Sequence, residues 1–599
     1  MTHGGRPGRA ARGAALAALL ALAAPAALPA PAPALVRPPT VIDGPSPDVV
    51  DLGGVAMAPD GSGGIVYRKR VGGVPHVFAA RYANGRWSAP ERVDAGQQFA
   101  SSWPRIAAGD DGKLRVVWVQ EFGVDSDRLY AATASAGGGF GTPWLVDKNI
   151  GEATATWPTI ASNAGGQTYV AYRVLGFTTQ VGLPPDGYVA GQIRLARYRG
   201  PDWQSLGILA RNPATFVRTP SAANAPRISV DSSGDAVVAW QEPDDDFVDR
   251  IWARRIFSSG TGAPLLASPQ TFGGAPVRGS ADAFDLGRGD FGEATVVARV
   301  EPPDGAGGAP QLYVDSLPSM FDDASARFAA PRAIGGPTAG LGAPSVSAIG
   351  SDWSAAASAG AGVLLSGGDD ASADAPAQVG DAGSADAQPV AVAGDDGASV
   401  LAWRRTSGAA SGVAIRDDDF AGRAQSAVLS APSGGPVDEL DAAGTGLGDA
   451  LVAFRQGDDA HGAIAVGLVD GPPQPFHVFT PAGWTRPGRA RVTWDPASDA
   501  LDRVRYRLVV DGHRLPGQYG RARLPYRGGL DDGVHRVAVL ATDAAGQQTL
   551  SATVTLKVDG TPPRVRVTLR GRRLTVRASD GRRGRVAGVA GGGTRVRFG

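Results

Sequence analysis

The sequence has 599 residues, which is too long for one ordinary domain, so several modules or one large closed architecture are expected. Glycine (85 residues) and proline (46) are frequent and only 19% of residues are charged, a composition typical of short strands and tight turns rather than long helices. Basic and acidic residues balance at 58 each, which excludes a chain-wide field that recruits nucleic acid or an acidic membrane.

The first segment has the layout of a secretory signal peptide, predicted over residues 1–34. Arginines precede an Ala/Leu run over residues 13–28, and small residues with prolines follow it. A membrane anchor is the weaker alternative, because Pro25 and Pro29 close the run before it is long enough to span a bilayer. The protein is therefore predicted to be secreted or associated with the cell envelope. With no cysteine, it has no disulfides and no thiolate chemistry, so packing must supply its stability.

One phrase recurs between residues 41 and 475: an apolar strand, a Gly/Asp turn and a second strand that ends in a bulky residue. The turns are typical of tight hairpins, because Gly and Asp tolerate a positive φ. About eight units are present, the repeat length being that of propeller blades. The clearest copies cover residues 103–118, 157–172, 225–240 and 388–403, and weaker ones end near Tyr67, Arg299, Ala357 and Phe454.

Each unit continues with a third strand and with an outer strand that carries proline, as in residues 87–90, where a missing N–H is not needed. Four strands per unit and nearly continuous apolar strands predict blades packed on both faces. The fold class is therefore all-β, a seven- or eight-bladed β-propeller followed by a β-sandwich. Trp118, Trp240 and Trp403 occupy the same place in the repeat, which favours blade packing over sugar stacking.

The pattern Pro-x-Ile/Val, Asp-x-x-Gly, Val-Val-x-Trp and Trp-Ser-x-Pro resembles the repeats of sialidase-like, WD40-like and other bacterial secreted β-propellers over residues 41–475. The resemblance implies a propeller but no single activity, since such rings serve as hydrolases, lyases, binders and scaffolds. Residues 67–70 do not match the first arginine motif of sialidases, and the Asp/Gly turns lack the aromatic that follows in their Asp boxes. No catalytic residue is carried over.

The repeat stops at residue 476, and residues 476–558 resemble a fibronectin type III or Ig-like module. The similarity rests on the Trp494 and Tyr506 strands and on residues 529–546. Residues 559–563 are typical of a linker, and residues 562–599 are predicted to begin a second, incomplete Ig-like module.

Candidate ligand-binding residues cluster in two loops that follow second strands and in an irregular insert over residues 175–191. Loops that project from a rigid ring often carry function, although acidic loop residues are more often solvated surface. The predicted ligand-binding residues are Glu121, Asp125, Asp127, Glu242, Asp244, Asp246 and Tyr188.

No cofactor is predicted. The histidines have no metal-ligand spacing, and the oxygen-rich loops would suit calcium but lack the spacing of a recognised calcium motif. The preferred function is a non-catalytic, secreted or cell-surface binding protein whose propeller recognises an extracellular carbohydrate or protein ligand. The alternative is a carbohydrate-active enzyme, a sialidase-like glycoside hydrolase or a polysaccharide lyase. A monomer without nucleic-acid partners and without a transmembrane segment after signal removal is expected.

Overall fold

The structure is a computed structural model that describes most of residues 34–591. The gaps are 124–125, 149, 152, 177–187, 201, 212–215, 219–220, 273–274, 290–291, 304–306, 320–326, 361, 381–384, 395–398, 419–423, 433, 488, 519–529, 563, 572 and 581–583. The predicted signal peptide therefore falls outside the described residues, and its cleavage stays a prediction.

Almost all regular structure in the described residues is antiparallel β-sheet, with two short 3₁₀ turns at Asp110–Gly112 and Ala222–Asn224. The first described strand, β1 (Leu35–Ser46), does not pair with the sheet that follows it. Sheet 1 contains β2 (Val49–Met57), β3 (Gly63–Val71), β4 (Val74–Ala83), β5 (Arg86–Trp87) and β6 (Glu91–Arg92). Sheet 2 contains β7 (Ser101–Gly109), β8 (Lys113–Gln120), β9 (Arg128–Ala134) and β10 (Trp144–Leu145).

Sheets 3 to 5 repeat the same order of strands. Sheet 3 contains β11 (Thr154–Ser162), β12 (Thr168–Leu175), β13 (Tyr188–Arg199), β14 (Asp202–Ile208) and β15 (Phe216–Arg218). Sheet 4 contains β16 (Arg227–Val230), β17 (Ala236–Pro243), β18 (Asp249–Phe257), β19 (Gly260–Thr261) and β20 (Leu265–Leu266). After the hairpin of β21 (Thr271–Phe272) and β22 (Ala275–Pro276), sheet 5 contains β23 (Ala281–Arg288), β24 (Ala294–Val300), β25 (Gln311–Leu317) and β26 (Arg332–Ile334).

Sheets 6 to 8 complete the series. Sheet 6 contains β27 (Pro344–Ile349), β28 (Asp352–Ala359), β29 (Gly362–Gly368) and β30 (Ala377–Val379). Sheet 7 contains β31 (Ala385–Ala393), β32 (Ser399–Ser407), β33 (Ala410–Asp418) and β34 (Ala424–Leu429). Sheet 8 contains β35 (Val437–Gly444), β36 (Ala450–Gln456) and β37 (Gly462–Asp470), with β1 as its outer strand.

The sheets are arranged in a closed cycle. The first strand of each sheet contacts the first strand of the next, and β35 contacts β2. Strand β1 pairs with β37 from Leu35↔Asp470 to Ser46↔Gly462, so that the start of the described chain completes the sheet formed by its later part. A closed arrangement leaves no long sheet edge unpaired. Pairing and packing around the ring can therefore hold the sheets together in a chain that has no disulfides. This arrangement confirms the all-β prediction and is consistent with a propeller.

The core lies between neighbouring sheets rather than within one. Trp118, Trp240 and Trp403 are at most 4% exposed and pack among apolar residues of the preceding sheet, which confirms that they serve as packing residues. The predicted role of the Asp/Gly turns is also confirmed in sheet 4, where Asp231 Oδ1 accepts the N–H groups of Gly234 and Asp235, each at 2.9 Å, and Gly234 has a φ of 91°.

Residues after Asp470 form separate sheets. Strand β38 (Val478–Phe479) pairs with β40 (Thr493–Trp494), and a second sheet contains β39 (Trp484–Thr485), β41 (Arg505–Val510), β42 (His513–Arg514), β43 (Gly533–Thr542), β44 (Gln548–Leu550) and β45 (Val554–Val558). Both sheets contribute to one core around Trp494 and Tyr506. A three-stranded sheet follows, with β46 (Arg564–Arg570), β47 (Arg573–Asp580) and β48 (Gly584–Gly591). The Ig-like or fibronectin type III identity of these modules stays a prediction.

The junction between the ring and the module of residues 478–558 is polar. Gln547 Nε2 donates to the Asp470 carbonyl at 2.7 Å, and Thr549 Oγ1 donates to the Pro473 carbonyl at 2.5 Å. Four carboxyl groups interact electrostatically beside these contacts, and we call them the junction cluster: Asp449, Asp470, Asp499 and Asp543.

Burial raises the pKa of Asp449 to about 8 and that of Asp499 to about 7. The junction cluster therefore holds protons near neutral pH, when isolated carboxyl groups are ionised. In the part of the chain that the structure describes, no helix is long and apolar enough to cross a membrane.

Candidate functional site in the central channel

The first strands of the sheets surround a channel that contains two connected cavities. The larger, which we call the central cavity, has a volume of about 560 Å³. The adjoining cavity has a volume of about 460 Å³, and five residues line both cavities: Arg227, Pro344, Pro389, Val390 and Asp441. The charged residues that line the central cavity are Arg105, Arg227, Glu439 and Asp441. A concave site with a few converging polar groups is the usual form of a ligand pocket.

Arg105 is the cation best placed to meet a ligand. Its Nη1 donates to the carbonyls of Gly53 at 2.8 Å and Pro104 at 2.9 Å, which fixes the guanidinium against the inner strands. Its Nε and Nη2 have no acceptor among the described residues. Burial lowers the pKa of Arg105, and Asp441 partly offsets that effect. A held guanidinium with free donors suits a carboxylate, which accepts two parallel hydrogen bonds.

Glu439 faces the same cavity with one oxygen already used. The Leu52 N–H donates to its Oε2, while Oε1 has no partner among the described residues. Burial raises the pKa of Glu439 to about 7, and the nearby Asp51 and Asp438 act in the same direction. Glu439 is therefore a group that gives and takes a proton near neutral pH, which is the property required of a general acid or base.

Arg227 and Asp285 form a fixed pair further along the channel. Arg227 Nε lies 3.1 Å from Asp285 Oδ1, and the Val346 N–H donates to Asp285 Oδ2 at 2.9 Å. Arg227 also donates to the carbonyls of Ala225 and Ala222. Because these donors and acceptors are already matched, the pair serves to fix the strands around the channel and to shape its wall.

Three of the first strands that surround the channel contain a strained bulge. Trp103, Trp157 and Gln388 each precede a proline and have positive φ values of 46°, 48° and 51°. The pairing register shifts at all three, so one strand carries an extra residue there. Such strain costs on the order of 1–3 kcal/mol per residue and often marks a functional region.

The bulges bring Trp103 and Trp157 together, close in the sequence to residues that line the central cavity, and neither tryptophan lines the cavity itself. Their rings are stacked with centroids 5.0 Å apart. Both side chains are half-buried, and Arg105 and Pro158, close by in the sequence, line the cavity. Partly exposed tryptophans next to polar groups offer an apolar face to a ring-shaped ligand.

The predicted loop after β8 lies at the same end of the sheets as the central cavity, because Gln120 pairs with Ser101 at the start of β7. Glu121 is exposed there, and Asp127 is half-buried and accepts the Phe122 N–H at 3.1 Å. Asp125 falls outside the described residues. Neither Glu121 nor Asp127 is among the residues that line the two channel cavities.

The predicted residues at the end of β17 and in the loop after it mostly have partners within the protein. Glu242 is 1% exposed and accepts the Trp240 indole N–H at 2.8 Å and the Arg211 N–H at 2.9 Å. Asp244 pairs with Arg250 Nε at 3.0 Å and accepts the N–H groups of its own turn. Asp246 is exposed. Tyr188 begins β13, and its side chain lies outside the description. The assignment of these residues to a ligand site stays a prediction.

In the sequence, the residues that line the channel indicated only that a strand of the repeat was present. Arg105 and Arg227 are the middle residues of the two Pro-Arg-Ile copies of the repeat, and Glu439 falls in a weak copy. The usable signal was a charge on a strand that otherwise reads as core, because lone buried charges are expensive unless they are functional or paired.

The described residues contain no group of three histidine or carboxylate side chains placed to hold a metal ion. The calcium question raised by the acidic loops is not tested by this observation, since Asp125 is among the residues that are not described. We therefore derive no step that involves a metal.

The chain was compared with known proteins. No family model matches it, and no curated protein matches it. Several solved structures align with it at low identity. A protein of unknown function from Dyadobacter fermentans is 13% identical, with 62% of this chain and 94% of that chain covered and a TM-score of 0.34.

Two further matches are carbohydrate-active enzymes. An ulvan lyase of a polysaccharide lyase family is 10% identical, with 64% of this chain and 95% of that chain covered and a TM-score of 0.36. The NanB sialidase from Streptococcus pneumoniae is 9% identical, with 73% and 94% covered and a TM-score of 0.32. At this similarity, these matches carry no activity over to this chain.

Proposed function

We propose that the protein binds an acidic carbohydrate in the central cavity. The observation that supports this is the free guanidinium edge of Arg105 in a cavity of about 560 Å³ that also holds Glu439. A sugar carboxylate would accept hydrogen bonds from Arg105, and the Trp103–Trp157 pair would contact the apolar face of a neighbouring sugar ring.

The proposal includes the wider features predicted from the sequence. It places the site in an eight-bladed propeller, which is supported by eight sheets of four or five strands in a closed cycle. It treats residues 476–558 as a fibronectin type III or Ig-like spacer and the protein as an exported monomer. The export part rests on the amino-terminal sequence.

Replacing Arg105 with Gln is expected to weaken binding of a glucuronate-containing oligosaccharide at least tenfold, since a charge-assisted pair of hydrogen bonds contributes about 1.5–3 kcal/mol. Calorimetric titration of the full chain measures the affinity. Arg86→Gln on the outer strand β5 is the matched control and should bind like the wild type. Equal affinities for the Arg105 variant and the wild type would refute the cavity as the site.

A catalytic role is the second candidate, and one observation favours it. The pKa of Glu439 is raised to about 7 by burial, so its carboxyl group is protonated below that pH and available as a general acid to a sugar bound at Arg105. The catalytic role proposed here is that of Glu439 as the general acid.

If the protein cleaves an acidic polysaccharide, Glu439→Gln should lower turnover by about 10²–10⁴-fold while leaving affinity nearly unchanged, since Gln keeps the shape but carries no transferable proton. Wild-type turnover should fall as the pH rises above about 7, because the acid form of Glu439 is then lost. Release of sugar ends from acidic and neutral polysaccharides measures this. Glu121→Gln tests the predicted loop instead, and a large loss there with normal Glu439→Gln activity would move the site to that loop.

A further inference from the structure

The cleft between sheets 6 and 7 differs from the equivalent places beside the tryptophans of sheets 2 and 4. Its volume is about 550 Å³, and it is lined by Gln378, Val379, Trp403, Arg405, Ala414 and Arg416, among others. Trp403 belongs to the series of tryptophans on second strands, so sheets 2 and 4 show what normally fills this space.

In sheets 2 and 4 an aromatic residue of the third strand covers the tryptophan. Tyr130 pairs with Trp118 and stacks on it with ring centroids 6.1 Å apart, and Trp252 pairs with Trp240. In sheet 7 the residue paired with Trp403 is Ala414. The small side chain of Ala414, where sheets 2 and 4 have an aromatic, leaves the volume of a side chain unfilled beside Trp403, and interiors rarely tolerate such a gap without a reason.

The indole N–H also loses its usual acceptor in sheet 7. Trp118 Nε1 donates to Gln120 and Trp240 Nε1 donates to Glu242, in each case the side chain two residues further along. The corresponding residue after Trp403 is Arg405, which has no acceptor atoms. Trp403 is 4% exposed, and its Nε1 is buried without a partner among the described residues.

The polar groups of the cleft are therefore mainly donors. Trp403 contributes an N–H, and Arg405 and Arg416 contribute guanidinium groups that also have protein partners, Asp418 at 2.9 Å in the case of Arg416. A buried donor without an acceptor costs about 1–3 kcal/mol, and a ligand oxygen recovers that cost. The walls formed by Val379 and Ala414 are apolar and leave space for a ring.

We infer that this cleft is a second binding site, which takes a ligand of about monosaccharide size that carries a carboxylate. The carboxylate would accept hydrogen bonds from Trp403 Nε1 and the guanidinium groups, and the sugar ring would occupy the space that Tyr130 and Trp252 fill in sheets 2 and 4. The site is separate from the central cavity, with which it shares no lining residue.

The test is titration of the full chain with glucuronate, with glucose as the neutral match. The variant Arg105→Gln weakens the central cavity and is expected to keep glucuronate binding at the cleft. In that background Ala414→Tyr supplies the side chain found in sheet 2, fills the cleft and should weaken the remaining binding at least tenfold. Trp403→Phe keeps an aromatic ring without the N–H and should weaken it about fivefold, the effect of one hydrogen bond.

Two outcomes would overturn the inference: no glucuronate binding by Arg105→Gln, or unchanged binding after Ala414→Tyr is added. Equal affinity for glucose and glucuronate would refute the carboxylate. The thermal midpoint of Ala414→Tyr shows whether the variant is folded, and Trp403→Phe gives a second test if it is not. Failure of the central cavity alone would appear as wild-type binding that Arg105→Gln does not change and Ala414→Tyr abolishes.

Discussion

Replacing Asp449 with Asn is expected to make the protein more resistant to denaturation at alkaline pH and to flatten the pH dependence of its stability. Burial raises the pKa of Asp449 to about 8, and Asp499, Asp470 and Tyr82 face it electrostatically. The Gly471 N–H at 2.9 Å and the Thr445 hydroxyl at 3.3 Å act against the raised pKa, and Arg37 donates to the neighbouring Asp470. An Asn side chain can keep both contacts of Asp449 without the charge.

The direction of this pH dependence follows from the difference in proton binding between the folded and the unfolded chain. In the unfolded chain Asp449 loses its proton near pH 4, whereas in the folded chain it holds the proton to about pH 8, so stability is lost as the pH rises through this window. At ~1.4 kcal/mol per pKa unit, ionising Asp449 costs the folded state several kcal/mol.

Urea denaturation at a series of pH values from about 5 to 9 measures the effect. The wild-type midpoint should fall across this range, and that of Asp449→Asn should fall less. Asp246→Asn, at an exposed loop position, should follow the wild-type curve. A curve for Asp449→Asn that coincides with the wild type would show that Asp449 does not carry this pH dependence.

Replacing Trp240 with Ala is expected to destabilise the ring by about 3–5 kcal/mol, the usual cost of removing a buried aromatic side chain. Trp240 is fully buried between sheets 3 and 4, and its N–H satisfies the buried carboxyl group of Glu242. The substitution leaves a cavity and also removes one of the hydrogen bonds to Glu242.

Trp144→Ala is the matched control, because Trp144 is 38% exposed on an outer strand and its removal should cost less than about 1 kcal/mol. The comparison uses the denaturation midpoint of each variant at one pH. Trp240→Phe should fall between the two, since it keeps most of the volume and loses the N–H. Equal midpoints for Trp240→Ala and Trp144→Ala would mean that sheets 3 and 4 do not depend on this packing.

The sheets were predictable because their determinants are local. The turn at Asp231 and the strand that ends at Trp240 are both encoded within a few residues, and hairpins of this kind recur without reference to the rest of the chain. Sheets 5 and 6 were harder to see because small residues replace the markers, as in the Ala-rich strand that ends at Ala359.

The channel and the cleft were not predictable from the repeat. Arg105 points into the central cavity only because the cycle of sheets places the first strands around one axis, and no single unit contains that information. The cleft at Trp403 depends on Ala414, a residue that is ordinary by itself and becomes informative only when the pairing shows that it faces a tryptophan. Loop residues such as Glu121 drew attention because their charge is visible without a structure.

The pairing of β1 with β37 has a consequence for the order of events during synthesis. Arg37 donates to Asp470, a residue 433 positions later, so the first described strand is synthesised long before the strand with which it pairs. Until β37 is available, β1 is an unpaired strand that can pair wrongly with other strands. Pro38, Pro39 and Pro45 lie within it, and the missing N–H groups limit the partners it can accept. The proline content of β1 thus suits a segment that must stay single until the rest of the ring has formed.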